Sequence, residues 1–223
     1  MEKIYNMTKL FLVRHAETEA NLRKVWYGSS DAPLTERGVK QILATGQRMK
    51  ELAQHHPIDI FYTSPLGRTK KTAAAIAEQI AMTPILEDGL REFDLGDWEG
   101  RSYVDLAQSE NLWGRWEVDP EFRPPNGESV LSFHNRAVEI IDTLTTQHAG
   151  ETLLAVTHGG IICNVMALWL GNGLHDWSRW EPDNCSITLL IKENDKWKIE
   201  FWDDVSHFPP EAVVGEKPVY TQQ

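Results

Sequence analysis

The sequence predicts an α/β domain built on a central, mostly parallel sheet. Three observations carry this reading. Short apolar runs at residues 9–13, 58–63 and 152–157 have the continuous hydrophobicity of strands buried on both faces. Helical patterns lie between those runs. Residues 186–191 and 197–202 flank the polar stretch "KENDK" and read as a hairpin added to the sheet.

Taken in order, the first run ends abruptly in polar residues: "KLFLVRHAETEAN" passes from Val13 to Arg14 and His15, with Glu17, Thr18 and Asn21 close behind. Thr35 can cap a helix reaching about residue 52, although Gly38 and Gly46 weaken it. In "SPLGRTKKTAAAIAEQI" Ser64 is placed as N-cap and Pro65 as the first helical residue. Residues 97–127 lack clear periodicity and carry Trp98, Trp113, Trp116, Pro120, Pro124 and Pro125. They read as an inserted lid or side wall. From 128 to 144, Phe133, Ala137, Ile140, Ile141 and Leu144 form one apolar helical stripe. Another helix is expected near Gly160, and 209–223 reads as a loose tail. Residues 1–223 are expected to be one domain.

Composition narrows the function. With 41% hydrophobic residues and nine tryptophans there is material for a sizeable core. A formal net charge of -11 argues against nucleic-acid or anionic-membrane binding as a general partner, but not against an anionic small molecule held in a local field. Cys163 and Cys185 make no disulfide framework and no Cys-x-x-Cys pair. With no apolar core in "MEKIYNMTKL" and no membrane-length window, a cytoplasmic setting is expected.

In open α/β sheets, ligands bind beyond the carboxyl ends of the parallel strands. Here those ends deliver Arg14-His15, then "TSPLGR" with Arg68, then "THGG" with His158. Singly, each has an ordinary reading: a surface pair, a solvated helix charge, a hydrogen-bonded structural histidine. Together they place two guanidinium and two imidazole groups on one edge, flanked by helix N-termini. That combination suits an anion, because arginine matches phosphate bidentately and helix starts add donors. Histidine adds a side chain that is both nucleophile and base near neutrality.

"LVRHAETEAN", "SPLGRTKKTA", "LREFDLGDWEG" and "VTHGG" resemble, in this order, the motifs of the histidine phosphatase superfamily, phosphoglycerate-mutase-like branch. The resemblance implies a three-layer α/β/α sandwich and a phosphohistidine intermediate, with no metal and no cofactor. It makes His15 the nucleophile, with Arg14, Arg68 and His158 around the phosphoryl group. It makes Glu92 the general acid, which must be protonated to serve a leaving oxygen. It places Asn21, Gly28 and Gly159 on the substrate side. Ala16 stands where the family usually has glycine, so an ordinary backbone is expected there.

The reaction implied is hydrolysis of a small phosphomonoester. No Cys-x5-Arg, Asp-x-Asp or Gly-x4-Gly-Lys-[Ser/Thr] pattern offers another phosphate chemistry. His55-His56 and His175-Asp176 lack a third metal partner. One alternative is a phosphoglycerate mutase; the family's mutases carry a longer insertion with paired arginines, whereas here only Arg101, Arg115 and Arg123 are scattered through the segment. Another is a non-catalytic phospholigand-binding regulator, expected to lack one of the reactive residues. Trp113 and Trp116 are candidates to contact the leaving group.

Overall fold

The computed structural model describes residues 7–213, without the side chains of Trp113, Leu174, His175 and Trp177. Strands β1 (Thr8–Arg14), β2 (Ile60–Thr63), β3 (Ile85–Leu86), β4 (Thr152–Thr157), β5 (Ile187–Glu193) and β6 (Lys196–Asp204) form one sheet, ordered β3-β2-β4-β1-β5-β6. The first four in that order run parallel; β5 and β6 continue antiparallel. The turn joining β5 to β6 uses Asn194 and Asp195 at φ 51° and 60°, the left-handed pair that a type I′ hairpin requires.

The helices are α1 (Glu19–Arg23), α2 (Glu36–His55), α3 (Gly67–Ile80), α4 (Tyr103–Glu110), α5 (Leu112–Val118), α6 (Val130–Gln147) and α7 (Gly159–Leu170). Alternation along the strands explains the layers. Leu10, Leu12, Leu153 and Ala155 pack with Ala137 and Ile141 of α6 and Ile161 and Val165 of α7. Phe11, Val13, Leu154 and Val156 face the other side, against Met49 of α2 and Ile76 of α3. The result is a three-layer α/β/α fold.

Several expectations are revised. Helix α3 begins at Gly67, not at Pro65, and its N-cap Leu66 supplies no side-chain acceptor. Asp31 caps it from a distant loop, accepting the amides of Gly67 (2.6 Å) and Arg68 (3.3 Å). Gly38 and Gly46 mark close approaches within and beside α2: an added Cβ would lie 2.2 Å from the Glu17 carbonyl and 2.6 Å from that of Ala75. Segment 97–127 contains α4 and α5, too short to show periodicity, and buries Leu106 and Leu112 in the core. The start of the 209–223 segment is anchored rather than loose. Ala212 is buried and its carbonyl accepts Gln41 Nε2 at 3.2 Å; residues 214–223 lie outside the described residues. No helix among the described residues is long and apolar enough to cross a membrane.

Candidate active site

Register assembles the site. Arg14 of β1 pairs with Thr157 of β4, so the two strands end level and each next residue is a histidine. The rings of His15 and His158 stand 5.2 Å apart, tilted by 59°. Thr63 of β2 pairs with Val156, which sets Ser64 beside the same edge.

His15 is buried and in one tautomer. Its Nδ1 lies 2.8 Å from its neighbour's carbonyl, Ala16 O, which can only accept, so the proton sits on Nδ1 and the lone pair on Nε2. Nε2 makes no hydrogen bond to a described residue. Burial, with Arg68 and Arg14 nearby, holds the His15 pKa well below its ordinary value and keeps the ring neutral. The Ala16 amide donates to Thr72 Oγ1 at 3.0 Å, and Ala16 is not among the residues with positive φ.

His158 is also neutral, its pKa lowered well by burial, Arg68 and His15. Its Nε2 bonds Ser64 Oγ at 2.8 Å; its Nδ1 is buried with no partner. Arg14 donates through Nη1 to Pro182 O and pairs with Glu181 at 3.8 Å, while its buried Nε also lacks a partner. Burial opposes the Arg14 charge, but Glu181 and other acidic neighbours leave its pKa raised. Two unsatisfied buried groups, one certainly a donor, lie beside His15. Such groups are costly unless a ligand meets them.

The loop before β5 is the part of the site that had no sequence signal. Asn184 Nδ2 donates to His15 O at 3.0 Å, and the Cys185 amide reaches Arg14 O and His15 O. Cys185 holds φ at 58°. Its carbonyl accepts Thr45 Oγ1, which contacts His207 Nε2 at 3.0 Å. Burial pushes the His207 pKa down from 6.5 to about 4. Between those two pH values the unfolded chain binds the extra proton, so stability falls as pH falls through that window. Thermal melts from pH 7 downward are expected to show a shallower acid loss for His207→Gln than for wild type. Equal slopes would mean that His207 titrates alike in both states.

Arg68 is fixed by the 27–31 loop: Nη1 donates to Ser30 O (2.7 Å) and Asp31 Oδ1 (3.2 Å), Nη2 to Gly28 O (2.7 Å) and Tyr27 O (3.3 Å). Gly28 does not present a free amide either. Its N–H and those of Ser29 and Ser30 go to the Glu99 carboxylate, and a Cβ on Gly28 would lie 1.7 Å from Phe93 O. Asn21 accepts from Thr18 through Oδ1 and lines the cleft, leaving its side-chain NH2 without a described partner.

Glu92 comes from the loop after β3. Its Oε1 accepts from its neighbouring amide, Phe93 N (3.0 Å), and its Oε2 accepts Gly160 N (3.1 Å) in the first turn of α7. The glycine pair is explained by crowding. A Cβ at Gly160 would stand 2.2 Å from Glu92 Oε1, and one at Gly159 would press on the Arg14 guanidinium at 3.3 Å. Gly159 thus packs behind Arg14, outside the residues lining the cleft. The other nearby carboxylates are committed: Glu17 pairs with Arg37 and Thr35, and Asp94 accepts Ser29 Oγ and the Gly96 amide.

Arg14, His15, Asn21, Arg68 and Glu92 share one cleft with Trp26, Tyr27 and Tyr103. Tyr103 is the contribution of the 97–127 segment. Trp116 stands behind, edge-on to Trp26 at 5.7 Å, and does not line the cleft; the Trp113 side chain lies outside the described residues. Arg101 is bound by Asp105, Glu110 and Ser109, Arg115 lies over the Phe122 ring at 4.8 Å, and Arg123 is exposed. Among the described residues no three His, Cys, Asp or Glu side chains are grouped to hold a metal ion.

Residues 10–205 match the model of the histidine phosphatase superfamily (branch 1). A protein of Cronobacter sakazakii named probable phosphoglycerate mutase GpmB is 34% identical over 214 residues, covering 93% of this chain and 98% of that one. Among solved structures, Bacillus stearothermophilus YhfR has a TM-score of 0.77 at 31% identity, covering 90% of this chain and 98% of that one. A phosphoserine phosphatase mutant from Entamoeba histolytica, in complex with phosphoserine, has a TM-score of 0.78 at 27% identity, with the same coverage.

Proposed function

The chain belongs to the histidine phosphatase superfamily, branch 1, and from that membership we propose that it hydrolyses a small phosphomonoester through a phosphohistidine. The observation that carries the reading is the state of His15: neutral, Nδ1–H held by the Ala16 carbonyl, Nε2 unbound, in a cleft with two arginines and Glu92. Nε2 attacks phosphorus in line with the ester oxygen, and the P–O bond breaks as the P–N bond forms. Protonated Glu92 gives its proton to the departing alkoxide. Ionised Glu92 then takes a proton from water, whose oxygen attacks phosphorus and displaces His15, releasing inorganic phosphate. The Nδ1–H···O bond to Ala16 stabilises the positive charge that the ring acquires in the intermediate. Arg14 and Arg68 offset charge on the equatorial oxygens.

Water is the acceptor favoured here because Arg101, Arg115 and Arg123 do not line the cleft and two of them are engaged elsewhere. A mutase has to hold a bisphosphorylated partner while it reorients, which requires a second anion site and exclusion of water. The relatives named as probable phosphoglycerate mutases make the test direct. With 3-phosphoglycerate and a bisphosphoglycerate primer, phosphate release is expected to exceed formation of 2-phosphoglycerate. Isomerisation far outrunning phosphate release would overturn the hydrolase reading.

A further inference from the structure

The geometry points to Arg136 as the positioning residue for Glu92, an assignment that rests on the reading of Glu92 as acid and base. Arg136 lies on α6, outside the cleft, and its guanidinium meets the backbone that carries Glu92. Nη1 donates to Gly89 O (2.9 Å) and Arg91 O (2.8 Å), and Nη2 donates to Glu92 O (3.2 Å). Nε and Nη2 together grip Glu128 at 3.0 and 2.7 Å. Five bonds therefore use the five N–H donors that arginine has. Glu128 completes the clamp, taking the Asp94 amide on Oε2 (3.1 Å) while its own amide donates to Asp94 O (2.9 Å).

The Glu92 loop is held in this way on both sides of the reactive residue, and by a rigid element. The Arg136 guanidinium also lies over Phe133, one turn earlier, at 5.0 Å; that ring packs against Phe93 at 5.1 Å and borders Gly160, the other support of the Glu92 carboxylate. One charged pair thus fixes the main chain of Glu92 while α7 fixes its side chain. Small displacements of the main chain would be felt at the carboxylate, where proton transfer demands hydrogen-bond reach of the leaving oxygen. A residue that only fastened α6 to the loop would instead lower stability and affect all substrates alike.

Arg136→Lys keeps the charge but cannot make the fork or the three carbonyl bonds. Phosphorylation of the enzyme by an alkyl phosphate, read as burst rate or kcat/KM because the later hydrolysis uses Glu92 for every substrate, is expected to slow about tenfold or more, and phosphorylation by p-nitrophenyl phosphate only a few-fold. In a Glu92→Gln background the same substitution is expected to add almost nothing on the alkyl substrate, because the group it serves is already gone. Glu128→Gln, which loosens the fork while leaving Arg136 in place, is expected to show the same bias in weaker form and serves if the lysine variant does not fold. Equal losses on both substrates, or full additivity with Glu92→Gln, would overturn the assignment. If Glu92→Gln itself shows no alkyl-over-aryl bias, the acid reading falls and this assignment with it; a biased Glu92→Gln beside an unbiased Arg136→Lys removes this one alone.

Discussion

His15→Ala is expected to form no phosphoenzyme and to lose turnover by about 10⁴-fold or more, since a nucleophile cannot be replaced by the groups that merely hold the phosphate. The nearest imidazole cannot take over. His158 is fully buried, and its Nε2 is committed to Ser64. The variant should still fold, because the His15 ring lines the cleft and its polar bond is to its neighbour's carbonyl, not to the core. Rapid quench of wild type with labelled substrate should trap an acid-labile, alkali-stable adduct that the variant lacks. A variant that keeps substantial turnover, with or without an adduct elsewhere, would remove His15 from the chemistry.

The second large effect is expected at Glu92. Glu92→Gln cannot donate or take a proton, and general acid–base groups contribute about 10²–10⁴-fold, so alkyl phosphate turnover should fall by that order. An aryl oxide leaves unaided, so the first step with an aryl phosphate should largely survive. The second step should not, because activation of water uses the same carboxylate. The expected signature is a burst of about one aryl oxide per enzyme followed by a slow phase. The carboxamide also sets an NH2 against one of two donors, the Phe93 and Gly160 amides, so some displacement accompanies the chemical loss. Equal decline on both substrate types, with no burst, would reduce Glu92 to a structural role. Glu17 and Asp94 could not easily inherit the function, each being bound to its own partners.

What the sequence determined by itself is the scaffold and the edge where the strand ends meet. Apolar runs of strand length, each ending in Arg14-His15, Ser64 or His158, must converge once they pair in parallel, because parallel strands point their carboxyl ends the same way. That convergence was legible from spacing alone, and the hairpin of β5 and β6 from its turn residues. Tertiary structure decided everything that depends on groups distant in sequence. Asp31 caps α3 from another loop, and Ser64 bonds His158. Glu99 consumes the Gly28 amide, and Gly159 and Gly160 serve close packing against Arg14 and Glu92. Short helices α4 and α5 gain stability from burying Leu106 and Leu112, not from a periodic stripe, so no pattern announced them. The support of His15 by Asn184 and Cys185, and of Glu92 by Arg136, crosses the chain between loops and helices. Hydrogen bonds to backbone carbonyls leave no mark in composition or periodicity, since any residue supplies the acceptor.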